Sequence, residues 1–308
     1  MHLSSRIAIV GTGNVGATAA YALMLRGLFA EIVLIDADED RAMAEAIDIA
    51  DAIAIARPAR IWAGGYADVK DASILVLTAG AATHGEETRT SIAAKSAAIV
   101  RICVHEAMAA GFDGVIVVAS NPVDAMAQIA QATSGLPPER VIGTGTLLDS
   151  NRFRKRVADR LNVAPAAVEA MVVGEHGDSE VAAFSTVRIG GVSLDAFLGE
   201  QPFERADLAH DVMRAGYTIN HGKGYTSFGV ATAIVRICEA IHRDERVVLP
   251  VSSKLTGQFG IDGVYLSLPC LVGAAGVLRV LTPDFTDDER AALLASADML
   301  RDTVAHVG

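Results

Sequence analysis

The sequence predicts an α/β fold: a doubly wound parallel sheet followed by a mixed α+β substrate domain. Three observations carry that expectation. Short β-branched runs alternate with longer helical patterns through the first half of the chain, as they do where helices cover both faces of a parallel sheet. A glycine-rich turn, Gly11-Thr12-Gly13-Asn14-Val15-Gly16, joins the first run to the first helical pattern, which marks the sheet as Rossmann-type. Beyond the breakers Leu136-Pro137-Pro138 and Gly143-Thr144-Gly145-Thr146 the alternation gives way to mixed segments. The expected division falls between residues 143 and 144.

In order, Ile7–Val10 reads as a strand, Val15–Arg26 as a helix, Glu31–Ile35 as a strand and Arg41–Ala56 as a helix. Strand-like runs follow at Ser73–Thr78 and Val115–Ala119, with a helix through Ser91–Ala109 between them. After the breakers a helix is expected over Leu147–Leu161 and strands over Val168–Val173 and Val181–Ile189. Helices near Asp207–Asn220 and Gly229–His242, strand-like pieces at Val247–Val251 and Gly263–Val272, and a last helix over Asp287–Ala305 complete the reading.

Composition narrows the class. A chain of 308 residues can bury a sizeable core in one large or two ordinary domains. Its net charge of −11 argues against a nucleic acid or an acidic membrane as partner. The same charge disfavours anionic substrates at long range, so a carboxylate substrate needs local arginines. Cys103, Cys238 and Cys270 are widely spaced in apolar surroundings and read as small core residues of a reducing compartment. The opening Met1-His2-Leu3-Ser4-Ser5-Arg6 is too short and wrongly flanked for a signal peptide, and no apolar stretch reaches membrane-spanning length. A cytoplasmic protein is expected.

The glycine turn has the context its chemistry needs. Gly11 permits the tight turn, Gly13 lets backbone approach a pyrophosphate at a helix N-terminus, and Gly16 permits close helix–strand packing. Asp36 ends the second strand about twenty residues on, where an acid binds adenosine ribose hydroxyls. Its carboxylate, with Asp38 and Glu39 nearby, repels a ribose phosphate, which favours NAD over NADP. Residues 1–143 are thus the expected NAD-binding domain and residues 144–308 the substrate and catalytic domain.

The most informative stretch is Gly174-Glu175-His176-Gly177-Asp178-Ser179, directly after the apolar run Met171-Val172-Val173. A strand-like run holds the imidazole still, and histidine takes and returns a proton near neutral pH. Three further clusters fit a carboxylate-binding, hydride-transfer site. Thr78-Ala79-Gly80 leads into a polar run ending Gly85-Glu86-Glu87-Thr88-Arg89, which reads as a lid carrying an arginine. Ser120-Asn121-Pro122-Val123-Asp124 places an amide at the carboxyl edge of the sheet. In Leu148-Asp149-Ser150-Asn151-Arg152 the aspartate and arginine, three apart, share one helix face. There an aspartate can orient a histidine while a guanidinium clamps a carboxylate with two parallel hydrogen bonds.

Together these residues resemble the lactate/malate dehydrogenase family over essentially the whole chain. The likeness is carried by GTGNVG, Asp36, the TAG strand end, GEETR, ASNPVD, GTGTLLDSNRFR and GEHGDSE. Gly222-Lys223-Gly224-Tyr225-Thr226-Ser227 resembles the lactate dehydrogenase branch. The resemblance implies that His176 exchanges the substrate proton, that Asp149 holds that imidazole and raises its pKa, and that Arg152 forks onto the substrate carboxylate. It also implies that Arg89 polarises the carbonyl, that Asn121 bonds near substrate and cofactor, and that Thr226 lines the pocket. Gly11, Gly13, Val15, Gly16, Asp36, Arg41, Tyr66, Gly80, Ala81, Ala119, Asn121 and Thr144 fall where the family holds NAD. No metal is implied. Family members assemble as dimers or tetramers; a homotetramer is favoured, with the apolar helices Ala42–Ile55 and Gly229–Ile241 as candidate interfaces.

The lid departs from the family pattern. Six residues before Arg89, lactate dehydrogenases carry glutamine and malate dehydrogenases arginine; here Thr83 stands there, with His84 beside it. Threonine cannot pair with malate's second carboxylate, and Glu86 and Glu87 oppose a dianion. The expected activity is that of an L-lactate dehydrogenase. Alternatives are malate dehydrogenase, or an enzyme for bulkier aromatic or branched 2-oxo acids, since threonine leaves space. A non-catalytic NAD-binding protein is the other class, and the set Arg89, Asp149, Arg152 and His176 argues against it. Where some relatives bind fructose 1,6-bisphosphate through an arginine and a histidine, Arg154 matches but Glu169 replaces the histidine, so no activation by that sugar phosphate is expected.

Overall fold

Alternate residues of the inner strands face two different cores, and that arrangement builds the molecule. The computed structural model describes residues 5–81 and 89–307, residues 89 and 90 by their backbone alone. The first half runs β1 (Arg6–Val10), α1 (Asn14–Arg26), β2 (Glu31–Ile35), α2 (Glu39–Asp51), β3 (Arg60–Ala63), β4 (Ile74–Leu77), α3 (Arg89–Ala109), β5 (Val115–Val118), α4 (Val123–Ser134) and β6 (Val141–Gly143). On one face Ala8, Val10, Val33, Ile35, Leu75, Leu77, Ile116 and Val118 pack with residues of α3, α4 and the C-terminal helix. On the other, Ile7, Ile9, Ile32, Leu34, Ile74, Val76, Val115 and Val117 pack with α1 and α2. Strands buried on both faces read as unbroken apolar runs, which is why these four were legible.

The second half runs α5 (Leu147–Leu161), β7 (Val168–Glu169), β8 (Val172–Val173), β9 (Val181–Ala182), β10 (Arg188–Ile189), β11 (Val192–Ser193), α6 (Leu194–Leu198), α7 (Arg205–Lys223), α8 (Phe228–His242), β12 (Val247–Thr256), β13 (Asp262–Gly273), β14 (Gly276–Val280) and α9 (Asp287–Val307). The main sheet has nine strands in the order β14-β13-β12-β6-β5-β4-β1-β2-β3. β3 through β6 pair in parallel around β1, and β12–β14 continue the sheet antiparallel, Ser252 lying opposite Gly143. Strand order reverses between β1 and β4, and such a switch point opens a crevice at the carboxyl ends of the strands.

Several elements differ from expectation. The run Val168–Val173 is not one strand: β7 pairs with β10, β8 pairs with β9, and the chain crosses between two small sheets at Ala170-Met171. Val181–Ile189 is likewise interrupted by a tight turn at Phe184–Thr186. The expected helix Arg41–Ala56 begins at Glu39, behind an Asp38 cap that accepts the Arg41 N–H at 3.1 Å, and tightens to a 3-10 turn at Ala52–Ile55. The apolar face of α8, expected as an interface, is largely spent inside the chain, where Ile234, Ile237, Cys238 and Ile241 are buried with α1. All three cysteines are free and buried. Among the described residues no helix is long and apolar enough to cross a membrane.

Candidate active site

The glycine turn sits at the switch point, and its three glycines are required for three different reasons. Gly11 has φ +97°, and a Cβ there would lie 2.5 Å from the Ala79 backbone nitrogen at the end of β4. At Gly16 a Cβ would fall 1.9 Å from the Gly11 carbonyl oxygen, so this contact admits no side chain. Gly13 is the opposite case: nothing lies within 4 Å of a Cβ built there, and it precedes α1 with no side-chain cap. A helix N-terminus that keeps free N–H groups beside open space is a seat for a phosphate.

Asp36 follows the end of β2 and binds the same turn. Its Oδ2 accepts the Thr12 N–H at 2.6 Å and the Thr12 hydroxyl at 2.9 Å, while Oδ1 accepts the Asp38 N–H at 3.0 Å. Burial alone would raise its pKa; these donors and the nearby Arg41 hold it below the usual carboxylate range. An ionised carboxylate has about four acceptor positions, so one is left for a ribose hydroxyl. Tyr66 opens a 3-10 turn and packs, half-buried, against the core. Gly80 and Ala81 follow β4, where the Ala81 N–H donates to Ser96 Oγ at 3.2 Å. These features fit a dinucleotide.

A cavity of about 820 Å³ opens next to this turn. Its wall runs from Val15 through Ala119, Asn121 and Thr144 to Asp149, Arg152, His176 and Thr226. The structure thus brings together residues from five separate stretches, GTGNVG, ASNPVD, GTGTLLDSNRFR, GEHGDSE and residues 222–227. Thr83 lies outside the described residues. Arg89 is the first residue of α3, and its side chain is likewise outside them.

At the centre of the cavity His176 Nδ1 lies 2.5 Å from Asp149 Oδ2, and Arg152 donates to Asp149 Oδ1 at 2.8 Å. The Asp149 side chain is only 2% exposed, so its two oxygens are divided between the imidazole and the guanidinium with almost no water to compete. Burial would lower the His176 pKa, but the Asp149 carboxylate outweighs it and lifts it to about 9. For Asp149, burial would raise the pKa; His176 and Arg152 hold it below the usual range.

Three supporting residues escaped the sequence reading of roles. The His176 N–H donates to Oδ2 of Asp124 at 2.8 Å, from the buried first turn of α4. Ser296, buried in α9, accepts the Glu175 N–H at 2.8 Å and lies 3.0 Å from the Ser179 hydroxyl, so the C-terminal helix pins the histidine loop. Gly174 enters that loop at φ +92°, and a Cβ there would be 2.8 Å from Ser296 Oγ. Glu180 is the third: its carboxylate lines the cavity, with oxygen and nitrogen atoms of Glu180, Asp149 and His176 all within 4.8 Å of one another. Asp124 was visible inside ASNPVD and Glu180 inside GEHGDSE. For Ser296, more than a hundred residues away in sequence, no signal exists.

Comparison with known proteins extends this picture. Residues 5–143 match the lactate/malate dehydrogenase NAD binding domain, and residues 146–307 match the lactate/malate dehydrogenase alpha/beta C-terminal domain. The L-lactate dehydrogenase of Thermus aquaticus is 41% identical over 308 residues, covering 98% of this chain and 99% of that protein. That of Priestia megaterium is 41% identical over 302 residues, covering 97% and 95%. Among solved structures, the minor L-lactate dehydrogenase of Enterococcus mundtii in its ligands-bound form superposes with a TM-score of 0.96 at 39% identity, covering 99% of each chain.

Proposed function

The chain belongs to the lactate/malate dehydrogenase family, and we propose that it is an NAD-dependent L-lactate dehydrogenase interconverting pyruvate and lactate. The observation that carries this reading is the Asp149-centred pair of contacts, which presents a protonated imidazole and a guanidinium to one cavity. Bound at the glycine turn, NAD supplies or accepts the hydride. Everything else falls to side chains of this chain. Arg152 binds the substrate carboxylate, a charge-assisted contact that also sets the orientation of the carbonyl. His176, charged below about pH 9, gives its proton to the carbonyl oxygen in reduction and takes it back in oxidation. Asp149 keeps Nδ1 protonated, so Nε2 is the nitrogen that exchanges the substrate proton. We assign Arg89 to polarising the carbonyl, Asn121 and Thr226 to the pocket wall, and Thr83 to the specificity position.

The cofactor roles of Gly11, Gly13, Val15, Gly16, Asp36, Arg41, Tyr66, Gly80, Ala81, Ala119 and Thr144 belong to the same proposal. So does the working division of the chain at 143/144, a cytoplasmic location and assembly as a homo-oligomer, a tetramer before a dimer. A second reading, a bulkier 2-oxo acid, has one specific support. Gly216 on α7 lines the cavity, and a Cβ there would lie only 4.0 Å from both terminal nitrogens of Arg152. Its bare backbone leaves room beside the carboxylate clamp.

NADH oxidation with pyruvate, oxaloacetate and phenylpyruvate side by side tests the reading. Fast pyruvate turnover with little on oxaloacetate is expected. Preference for oxaloacetate would overturn the lactate reading, and preference for phenylpyruvate would replace pyruvate by a larger substrate.

A further inference from the structure

The acid/base centre contains one more carboxyl group than the reaction just described uses. Glu180 lies within 4.8 Å of both the Asp149 carboxylate and the His176 ring, in the wall of the cavity. We propose that Glu180 is a positioning residue that works as a neutral acid, keeping the pocket cationic for the substrate carboxylate and supporting the His176 imidazolium once it ionises. The inference rests on the lactate dehydrogenase reading and deepens it.

Counting charges shows why its protonation matters. With Asp149 ionised and His176 and Arg152 protonated, these three groups together carry one net positive charge, which the substrate carboxylate cancels. An ionised Glu180 would make the empty centre neutral and the complex anionic. The balance worsens after proton transfer. As His176 gives its proton to the carbonyl oxygen and the hydride arrives, the three side chains and the substrate pass from neutral to one net negative charge. That charge is balanced by the positive charge left on the oxidised cofactor; an ionised Glu180 would raise the negative charge to two. Charges a few ångström apart in a site with little water interact strongly.

The surroundings favour the neutral acid. Burial and then the Asp149 carboxylate push the Glu180 pKa up to about 8, against the opposing pull of His176 and Arg152. Among the described residues, the groups facing it are Asp149 and Arg152 from α5 and His176 and Asp178 from the loop between β8 and β9, with Glu175 of the same loop in the cavity wall. Tyr217 from α7 donates to Asp178 Oδ1 at 2.7 Å, and Asp302 and His306 from α9 line the same cavity. Once ionised, Glu180 acts on His176 in the opposite sense, raising the imidazole pKa. The residue therefore weakens substrate binding and strengthens the proton donor over the same pH range.

That opposition supplies a test that a merely structural role would not satisfy. Pyruvate reduction by the wild type, Glu180→Gln and Glu180→Asp is followed from pH 6.5 to 9.5, with KM and kcat separated. Binding of oxamate, the non-reacting amide isostere of pyruvate, to each NADH complex is measured in parallel. The wild-type KM and oxamate Kd should climb through pH 8, and the climb to pH 9.5 should be about tenfold smaller in Glu180→Gln. In the same variant the alkaline fall of kcat should move to lower pH. Glu180→Asp should restore the climb with a displaced midpoint. Parallel KM and Kd profiles in wild type and Glu180→Gln would overturn the proposal while leaving pyruvate turnover intact. Absence of pyruvate turnover in the wild type would overturn the underlying reading, and the proposal with it.

Discussion

Asp149 divides its two oxygens between His176 and Arg152, the proposed proton donor and substrate clamp, so one substitution separates what the carboxylate does from where it sits. Asp149→Asn keeps the volume and removes the charge. The His176 pKa should then fall from about 9 toward its ordinary value, because burial is opposed only by the weaker pull of Asp124 and Glu180. Reduction needs the imidazolium, so kcat/KM for pyruvate at pH 7 should drop by about 10² or more, with its alkaline limb displaced downward. An unshifted limb in the pH profile would refute this role. Asp124 permits a stability prediction of a different sign. Burial pushes its pKa up to about 6, partly offset by Ser252 and the His176 N–H. A carboxyl whose folded pKa is raised contributes stability below its unfolded value, and that contribution is lost as pH rises through the folded pKa. Ionised Asp124 therefore costs up to about 3 kcal/mol at neutral pH, a dependence that Asp124→Asn lacks. The Tm of this variant relative to wild type should rise between pH 4 and pH 7.5; a constant difference across that range would refute the assignment.

At the scale of elements, the glycine turn, a loop whose residues differ in what surrounds them, gives the clearest pair of outcomes. Gly16→Ala places a methyl against the Gly11 carbonyl, 1.9 Å away, and should lower Tm and abolish NADH binding together. Gly13→Ala meets nothing within 4 Å. Its Tm should stay close to wild type while NADH affinity, read by fluorescence titration, falls about tenfold or more as the methyl enters the pyrophosphate seat. Equal loss of stability in both variants would show that the turn is packed more tightly than this. The elements that were legible are those whose own residues determine them, such as β1, β4 and α5, the last matching expectation at both ends. Those that were not legible depend on neighbours. β6 is three residues long and is defined by β5 and β12 on either side. α4 follows Pro122 and is buried on most faces from Val123 to Ala130, so it shows little helical alternation. β3 and β14 are short edge strands whose pattern carries little signal.

For the whole molecule, the residues His176, Asp149 and Arg152 that meet in the cavity were legible because each lies in a compact motif. Of the supports of the histidine loop, Ser296 carried no signal, and Asp124, though visible inside ASNPVD, reaches the His176 N–H only because the folded chain brings its helix there. The same distinction applies to assembly. Expectation placed interfaces on two apolar helices, but α8 spends its apolar residues inside, leaving the outer face of α1 and α2 as the better candidate. There Tyr21 and Leu25 on α1 are 43% and 46% exposed, Met43 and Ile47 on α2 are 53% and 55% exposed, and Ile55 in the following turn is 94% exposed. Tyr21 and Leu25, like Met43 and Ile47, are four apart and share a helix face, so the exposed apolar atoms form rows rather than scattered points. A two-fold axis can bury such a face against its own copy. The expected species in sedimentation velocity is therefore a multiple of the 32.1 kDa chain, a tetramer before a dimer. Ile47→Asp would put a charge within that face and should shift the distribution to a smaller species. Because the catalytic cavity lies at the carboxyl ends of the strands, away from this substitution, residual NADH binding would show that the protomer still folds. A wild type that sediments as a monomer, or an Ile47→Asp variant with unchanged mass, would place the interface elsewhere.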